Sequence, residues 1–256
     1  MDLGIAGKRA LVTGASKGLG AAIAKSLAAE GCNLFLIARD HERLADLRAE
    51  LLAAHEGLSV DVLEMDMRSE NACRKVAEAA GHVDILINNA GDVPAGSVLD
   101  IDEERWRRAW DLKIFGYINL AREIYRDMIA RRSGVIINIV GTAGERPRGN
   151  HIAVASGNAA LIAFSRALGL ESVEANVRVV AVNPGASETD RQMDRWKAKA
   201  REQLGDENRW RELVADFPFG RLAKPEEIAD VVTFVASERA GYISGTAVTV
   251  DGGGHH

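Results

Sequence analysis

Cysteine is scarce in this chain and long apolar runs are missing, which excludes several classes of protein. The two cysteines, Cys32 and Cys73, form no disulfide framework and have no metal-site spacing, so we expect a reducing, cytoplasmic location and no bound metal. No apolar run approaches the ~20 residues that cross a bilayer, so we expect no membrane span. Residues 1–4 lack the basic start and long apolar run of a signal peptide.

An excess of positive charge is also missing. The chain has 32 basic and 37 acidic side chains, a net charge of −5, which argues against a general nucleic-acid or membrane-surface binder. The hydrophobic share of 47% and the charged share of 27% are ordinary for a soluble globular protein. Composition does not shift along the sequence, so we expect one domain over residues 1–254. The final His255 and His256 are either native or the remnant of a tag.

Strand and helix patterns alternate along the chain, which predicts a parallel sheet of about seven strands covered by helices on both faces. The predicted strands cover residues 9–12, 33–38, 59–65, 83–87, 134–140, 177–182 and 247–250. The predicted helices cover residues 21–28, 40–55, 69–80, 102–132, 151–171 and 225–237, and a charged helical stretch covers 188–215.

A glycine-rich turn near the N-terminus is the most informative segment. Residues 13–20, Thr-Gly-Ala-Ser-Lys-Gly-Leu-Gly, follow a short buried strand and precede a helix. Glycines at this spacing allow a tight turn and close approach of the backbone to a pyrophosphate, and the helix N-terminus attracts phosphate. A purely structural turn is the alternative. We predict a nucleotide site whose contacts include Gly14, Ser16, Lys17, Gly18, Leu19 and Gly20.

The end of the second predicted strand indicates which nucleotide binds. An NAD site carries an acidic residue about 20 residues past the glycines for the ribose 2′-hydroxyl. This chain instead has Ala38 and Arg39 there, and Lys17 adds a second cation. Two cations fit a 2′-phosphate through Coulomb attraction and the forked donors of arginine, so we expect NADP(H) in preference to NAD(H). In the alternative, Arg39 is solvated and Asp40 recognises the ribose.

With these segments in order, the chain resembles the short-chain dehydrogenase/reductase family over nearly its whole length. The resemblance implies a single-domain, doubly wound Rossmann fold of the α/β class, a nicotinamide cofactor, and a homodimer or homotetramer. The motifs that carry it are residues 13–20, Asp66, residues 88–91, residues 183–185 with Thr189, and residues 250–253. The cofactor contacts it implies are Asp66 and Met67 near the adenine, Asn89, Ala90 and Gly91 near the adenosine ribose, and Pro184, Gly185 and Thr189 near the carboxamide.

The chain departs from the family at the catalytic positions. The family uses a Tyr-x-x-x-Lys pair on one helix, a serine upstream, and an asparagine on the preceding helix. The tyrosine exchanges a proton with the substrate oxygen, and the lysine lowers the tyrosine pKa. In this chain Val154 stands at the tyrosine position and Asn158 at the lysine position. Gly141 replaces the serine, and Lys113 replaces the asparagine.

These replacements have two interpretations. Either the site has decayed, or Lys113 and Asn158 have exchanged identities and an ammonium reaches the nicotinamide ribose from the opposite helix. His151 lies one helical turn before Val154 and could exchange a proton near neutral pH, although a surface or capping role is the alternative. Thr142 could supply the hydroxyl of the missing serine. The candidate catalytic residues are therefore Lys113, His151, Thr142 and Asn158.

Two segments bear on the substrate. Arg146 and Arg148 follow the fifth strand, where they either hold an acidic substrate or lie in solvent. Residues 188–218 resemble the family's substrate lid, in which Trp196 could line a pocket. We expect NADP(H)-dependent hydride transfer to or from a small carbonyl or alcohol compound at a non-standard site. The alternatives are a nucleotide-binding or sensor protein without catalysis, and a non-redox dehydration or isomerisation.

Overall fold

Seven parallel strands form one sheet in the computed structural model, which describes residues 1–254. Between β1 and β4 the strand order reverses, and open α/β sheets bind ligands in the crevice at such a point. The expected doubly wound α/β fold is confirmed, whereas His255 and His256 lie outside the described residues. The strands are β1 Arg9–Thr13, β2 Asn33–Ala38, β3 Val60–Glu64, β4 Ile85–Asn88, β5 Gly134–Ile139, β6 Val177–Pro184 and β7 Thr246–Val250, in the order β3-β2-β1-β4-β5-β6-β7.

Helices cover both faces of the sheet because successive strand residues point to opposite sides and both sides are apolar. On β1, Ala10 and Val12 pack on one side and Leu11 on the other. The helices α1, α2 and α8 lie on the first side, and α3, α5 and α6 on the second. Their bounds are α1 Gly18–Ala29, α2 His41–Ala54, α3 Ala72–Ala80, α4 Glu103–Trp110, α5 Gly116–Arg131, α6 Ile152–Glu171, α7 Asp190–Leu204 and α8 Pro225–Ala236.

The helix predicted over residues 102–132 is interrupted in the middle. α4 ends at Trp110, α5 begins at Gly116, and Asp111–Phe115 between them forms a π-helical turn. Such turns re-aim the side chains of a helix and often occur at functional sites. Lys113 lies at the centre of this turn, and its Nζ reaches the Val140 carbonyl just beyond β5.

A chain of buried side-chain hydrogen bonds joins β4, β5 and α6. The Asn88 Nδ2 donates to Asn138 Oδ1 at 2.9 Å, and the Asn138 Nδ2 donates to Ser165 Oγ at 2.8 Å. The Ser165 hydroxyl then donates to the Leu161 carbonyl at 2.7 Å. Buried polar atoms are costly when unpaired, so this chain specifies how α6 sits on the sheet.

One apolar segment is longer than the sequence analysis expected. By length and composition alone, the helical segment 152–175 could cross a membrane, since an 18-residue window within it has a mean hydropathy of 1.3. The expectation that no apolar run approaches that length is therefore wrong here. Leu161 and Ile162 of this segment pack against Tyr117 and Ala181, so contact with the sheet and α5 accounts for its apolar face.

Gly169 on α6 marks a close contact between backbones. An added Cβ there would lie 2.6 Å from Gly245 Cα and 2.7 Å from the Val179 carbonyl oxygen. We expect Gly169→Ala to lower the free energy of unfolding by about 1–3 kcal/mol, because overpacking must move rigid backbone. The measurement is the urea unfolding midpoint at fixed protein concentration. Gly149→Ala is the matched control, since its Cβ would meet nothing within 4 Å. Equal midpoints for the two variants would contradict the contact.

Candidate active site

A groove of about 1010 Å³ crosses the carboxyl edge of the sheet and opens at the point where the strand order reverses. It is lined by the glycine-rich turn, the ends of β2, β4, β5 and β6, the N-terminal part of α6 and the first residues of α7. All the residues predicted to bind cofactor or to catalyse line this groove except Gly20, which is buried beneath it. These lining residues are Gly14, Ser16, Lys17, Gly18, Leu19, Arg39, Asp66, Met67, Asn89, Ala90, Gly91, Lys113, Thr142, His151, Asn158, Pro184, Gly185 and Thr189.

The glycine-rich turn is held open by hydrogen bonds from the end of β4. The Asn89 Nδ2 donates to the carbonyls of Thr13 at 3.0 Å and Gly14 at 3.2 Å, and the Asn89 N–H donates to Thr13 Oγ1 at 2.9 Å. Gly14 and Gly18 have φ of +66° and +57°, which favour glycine. A Cβ at Gly20 would collide with the Gly14 carbonyl. The turn therefore brings bare backbone and the start of α1 to the groove.

Asp66, beside the expected adenine position, is engaged by an arginine that the sequence analysis did not single out. The Arg68 Nη2 lies 2.6 Å from Asp66 Oδ2, and the Arg68 Nε lies 3.0 Å from Oδ1. Hydrogen bonds from Arg68 lower the pKa of Asp66 to about 2. Asp66 is thus a carboxylate whose charge is already matched, although it keeps acceptor capacity toward the groove.

The exposed side chains of Lys17 and Arg39 lie at the end of the groove beside β2. Asp40, the alternative ribose-binding residue, caps α2 by accepting from the Arg43 N–H at 3.1 Å. The Asp40 Oδ2 also lies 3.4 Å from the Arg43 Nε. Lys17 and Arg39 are thus the cations at this end without a carboxylate within 4.0 Å among residues 1–254, and Asp40 still lines the groove as a half-exposed carboxylate.

Positive side chains that line the groove outnumber the negative side chains, and some of them have no carboxylate nearby. Each lining aspartate lies within 4.0 Å of an arginine: Asp40 and Asp190 pair with Arg43, Asp66 with Arg68, and Asp92 with Arg191. Among residues 1–254, four lining cations have no carboxylate within that distance. They are Lys17 and Arg39 at the β2 end of the groove, and Lys113 and Arg195 at the α6 end.

Lys113 places an ammonium against a carbonyl group at the end of β5. Its Nζ donates to the Val140 oxygen at 2.7 Å. Its alkyl chain runs over Gly91, where an added Cβ would lie 3.2 Å from Lys113 Cδ. Burial, and secondarily the charge of Arg191, lower the pKa of Lys113 to about 8. The group is therefore protonated near neutral pH and able to give up its proton.

Asn158 turns one amide atom toward the Gly141 backbone and leaves the other without a partner. Its Nδ2 donates to the Gly141 carbonyl at 3.3 Å, and its buried Oδ1 has no hydrogen-bond donor among residues 1–254. Gly141 has φ of +118°, and Thr142 begins the short 3₁₀ turn Thr142–Gly144. Val154 lines the groove nearby as an apolar surface. The Asn158 Oδ1 thus lacks a donor among the described residues, and neither Val154 nor Gly141 carries a side chain that can transfer a proton.

His151 stands at the start of α6 and contacts the proposed lid. Its Nδ1 lies 2.8 Å from Asn150 Oδ1, and its Nε2 accepts from the Arg195 Nη2 at 3.2 Å. Desolvation, and then the charges of Arg195 and Arg148, lower the pKa of His151. The hydrogen bonds assign a neutral imidazole with its proton on Nδ1 and its Nε2 lone pair toward Arg195.

The first turns of α7 cross the mouth of the groove. The Arg191 Nη1 lies 3.1 Å from Asp92 Oδ1, and its Nη2 donates to the Val93 carbonyl at 3.3 Å. Arg195, four residues later, also lines the groove. Neither arginine was predicted from the sequence, where their i, i+4 spacing at the start of the charged helical stretch was the available signal.

Three residues that the sequence suggested for the substrate lie elsewhere. Arg146 is bonded to Asp251 at 3.0 Å and to the carbonyl of Gly254, and neither it nor Arg148 lines the groove. Trp196 packs edge-on against Phe217, with ring centroids 5.4 Å apart, and is absent from the groove lining. The positive charges that line the groove beside α6 are therefore those of Lys113 and Arg195, whereas Arg148 acts on His151 from outside the lining.

These features fit a dinucleotide, whereas residues 1–254 hold no group of three or more His, Cys, Asp or Glu suited to a metal. Gly18 lines the groove without a side chain, and a Cβ there would lie 3.3 Å from Thr189 Cγ2, so bare backbone is available for close approach of a pyrophosphate. Lys17 and Arg39 are free for a phosphate at one end of the groove. The unpartnered Asn158 Oδ1 fits the hydroxyl donors of a nicotinamide ribose at the other.

The comparisons with known proteins agree with this geometry. The family profile described as short chain dehydrogenase matches residues 8–200. A 2,3-dihydro-2,3-dihydroxybenzoate dehydrogenase of Bacillus subtilis is 34% identical over 254 residues, covering 98% of this chain and 97% of the relative. The 3-oxoacyl-acyl-carrier-protein reductase of Escherichia coli is 35% identical over 247 residues, covering 96% and 97%. The L-sorbose reductase of Gluconobacter frateurii, solved with NADPH and L-sorbose, has a TM-score of 0.93 and 34% identity, with coverage of 99% and 98%.

The lowered pKa of Lys113 predicts a pH-dependent cost to stability. Between pH about 8 and 10.5 the unfolded chain binds a proton at this lysine that the folded chain does not. Stability of the wild type should therefore rise with pH in this window relative to Lys113→Met, and the difference should be constant below it. The measurement is the urea midpoint across pH, with Lys197→Met as the exposed control. A difference that does not change with pH would contradict the lowered pKa.

Proposed function

Because the chain belongs to the short-chain dehydrogenase family, we propose that it is an NADP(H)-dependent enzyme that moves hydride between nicotinamide and a small carbonyl or alcohol compound. It is an oxidoreductase of the short-chain type, and its relatives of known activity are dehydrogenases and reductases. One observation supports NADP(H)-dependent hydride transfer at a non-standard site. The residues predicted to bind the nucleotide, apart from Gly20, line one groove, and the Lys113 ammonium lies in that groove at the Val140 carbonyl, next to Gly141.

The preference for NADP(H) is supported by the charge of the groove at the β2 end. Lys17 and Arg39 are the cations there without a carboxylate partner, and Asp40 is engaged by Arg43. A 2′-phosphate would supply the missing negative charge and accept the forked donors of Arg39. The sorbose reductase, similar in fold and 34% identical, was solved with NADPH.

Lys113 is the group to which we assign the proton. The cofactor, when bound, supplies the hydride to the carbonyl carbon in the direction of reduction. Lys113 then donates a proton from Nζ to the substrate oxygen, so that the alcohol leaves neutral and the amine is re-protonated by solvent. The Val140 carbonyl, 2.7 Å away, orients the ammonium, and burial lowers its pKa toward the working pH.

The other candidates take supporting roles around the substrate and the nicotinamide ribose. Thr142 can donate its hydroxyl to the substrate oxygen, since it follows Gly141 at the position left by the family's serine. Asn158 offers Oδ1 to a ribose hydroxyl in place of the family's lysine. His151 remains a second acid/base candidate, but its lowered pKa and its lone pair toward Arg195 suit an acceptor better than a proton donor.

A non-redox or non-catalytic function is the second candidate, favoured by two specific residues. Val154 and Gly141 cannot move protons, and they stand where the family places its tyrosine and serine. A base such as neutral Lys113 could still support dehydration or isomerisation, and a protein that only senses the nucleotide would need none of these groups. Hydride transfer to any carbonyl compound excludes the sensor and separates these functions.

We also propose a homodimer or homotetramer in the cytoplasm, acting on a small molecule with an acidic group. Ile129 on α5 and Leu170 on α6 are exposed apolar side chains, and β7 is an open edge of the sheet, as expected where subunits meet. Both cysteines are free, which suits a reducing compartment. The basic side chains near α6 favour an acidic substrate.

Replacing Arg39 tests the cofactor proposal. We expect Arg39→Asp to weaken NADPH binding about 10- to 100-fold, because a charge-assisted pair is lost, while NADH binding is kept or improved. The measurement is a titration of tryptophan fluorescence with each nucleotide. Lys75→Asp on the exposed side of α3 makes the same charge change far from the groove and should alter neither affinity. Equal weakening of both nucleotides by Arg39→Asp would show that the 2′-phosphate is held elsewhere.

Replacing Lys113 tests the assignment of the proton. With a carbonyl compound that oxidises NADPH, Lys113→Ala should lower kcat about 10²-fold or more, since general acid catalysis is removed. The wild-type kcat/KM for reduction should fall above pH about 8, and that fall should disappear in the variant. NADPH affinity of the variant serves as the control for folding.

His151→Ala, made alongside, should cost less than Lys113→Ala if His151 only accepts a hydrogen bond. A loss of about 10²-fold in His151→Ala with an unaffected Lys113→Ala would reverse the two assignments.

A further inference from the structure

We propose that Arg195 anchors a carboxylate group of the substrate, and that its contact with His151 is the arrangement it adopts when that carboxylate is absent. The inference rests on the proposed hydride transfer and names the substrate class of the same groove: oxo acids in the direction of reduction, hydroxy acids in the direction of oxidation. It also makes Arg195 the residue through which α7 contacts the substrate.

The charges that line the groove leave Arg195 without a carboxylate partner among residues 1–254. Every aspartate that lines the groove is already within 4.0 Å of an arginine. Among residues 1–254, the cations left without a carboxylate at the α6 end are Lys113 and Arg195. The proposed mechanism uses Lys113 for the proton, so the positive charge of Arg195 is left for a group that the protein itself does not contain.

Most of the N–H donors of Arg195 remain available to a ligand. Arg191 and Arg195 both reach the groove from α7, but Arg191 is used to hold the helix to Asp92 and the Val93 carbonyl. The Arg195 side chain makes one hydrogen bond within the described residues, from Nη2 to the Nε2 of a neutral His151 at 3.2 Å. A guanidinium has five N–H donors in a planar fork, so most of its donors remain free.

Arg195 lies at the same end of the groove as Lys113, the proposed proton donor. His151, the partner of Arg195, lies one helical turn before Val154, at the wall where the family's tyrosine would stand. Lys113 holds its ammonium at the Val140 carbonyl, next to Gly141 on the same end of the groove. A substrate oxygen at Lys113 therefore leaves the remainder of a small molecule to extend along Val154 toward Arg195.

A carboxylate fits this anchor better than a phosphate. One guanidinium fork matches the two oxygens and single charge of a carboxylate in a bidentate pair. The neighbouring His151 is neutral and has its Nε2 lone pair turned toward the same space, so it adds no second charge. A phosphate carries about two negative charges and commonly recruits several donors, which Arg195 by itself does not supply.

The decisive experiment compares oxo acids with their neutral esters on the purified full-length chain with saturating NADPH. Benzoylformate and acetoacetate are paired with their methyl esters, and kcat and KM are measured for the wild type, Arg195→Gln and Lys197→Gln. Lys197→Gln removes the same charge from the same helix at a residue outside the groove. We expect Arg195→Gln to raise KM for the acids about 10- to 100-fold, with KM for the esters and NADPH affinity unchanged.

A binding measurement keeps the test independent of turnover. Benzoate added to the NADPH complex should change the tryptophan fluorescence of the wild type and of Lys197→Gln, but not of Arg195→Gln. If NADPH binds and no carbonyl compound is reduced, the proposed hydride transfer fails, while benzoate binding that needs Arg195 would still support the anchor. Equal use of acids and esters, an equal effect of Arg195→Gln on both, a preference for dihydroxyacetone phosphate over the oxo acids, or no benzoate binding by the wild type would overturn it.

Discussion

The crevice between β1 and β4 is the constraint on which the rest of the site depends. Strand order reverses there, and the Asn89 side chain after β4 donates to the carbonyls of Thr13 and Gly14 at the end of β1. These hydrogen bonds fix the spacing between the ends of β1 and β4. Everything that follows is placed relative to this opening: α1 presents its N-terminus to it, the π-helical turn brings Lys113 to its far wall, and α7 crosses its mouth. The position of α6 on the sheet is fixed by the buried hydrogen bonds that run from Asn88 through Asn138 to Ser165.

Charge is distributed in the groove in a way that the net charge of −5 conceals. The lining aspartates are matched by arginines, and the excess cations collect at the two ends, Lys17 with Arg39 and Lys113 with Arg195. Unmatched charge beside a partly dehydrated groove is costly, and burial lowers the pKa of Lys113 for that reason. Such an arrangement is stabilised when anionic ligands bind, so the same cations that weaken the empty groove favour its occupied state.

The fold and most residues of the groove lining could be predicted from the sequence, because the patterns that indicate them are local. Alternating apolar strands, a glycine-rich turn and helices of 3.6-residue period each depend on neighbouring residues, and parallel strands necessarily bring their ends to one edge. Gly14, Asp66, Asn89 and Pro184 meet there although they are far apart in the chain. The signals failed where a single extra residue or a long side chain decided the outcome. The π-helical turn at Asp111–Phe115, the pairing of Arg68 with Asp66, and the placement of Arg191 and Arg195 are of this kind.

The sequence by itself determined the parallel sheet and the glycine-rich turn, because strand periodicity and glycine conformation are local properties of the chain. Only the tertiary structure decided which charges are free. Arg146 was a candidate for a substrate until the fold brought Asp251 to it, and Arg195 became one because it lines the groove and no carboxylate of the described residues lies within 4.0 Å of its guanidinium. The physical reason is that an ion pair depends on the distance between two long side chains, and that distance is set by packing of elements remote in sequence.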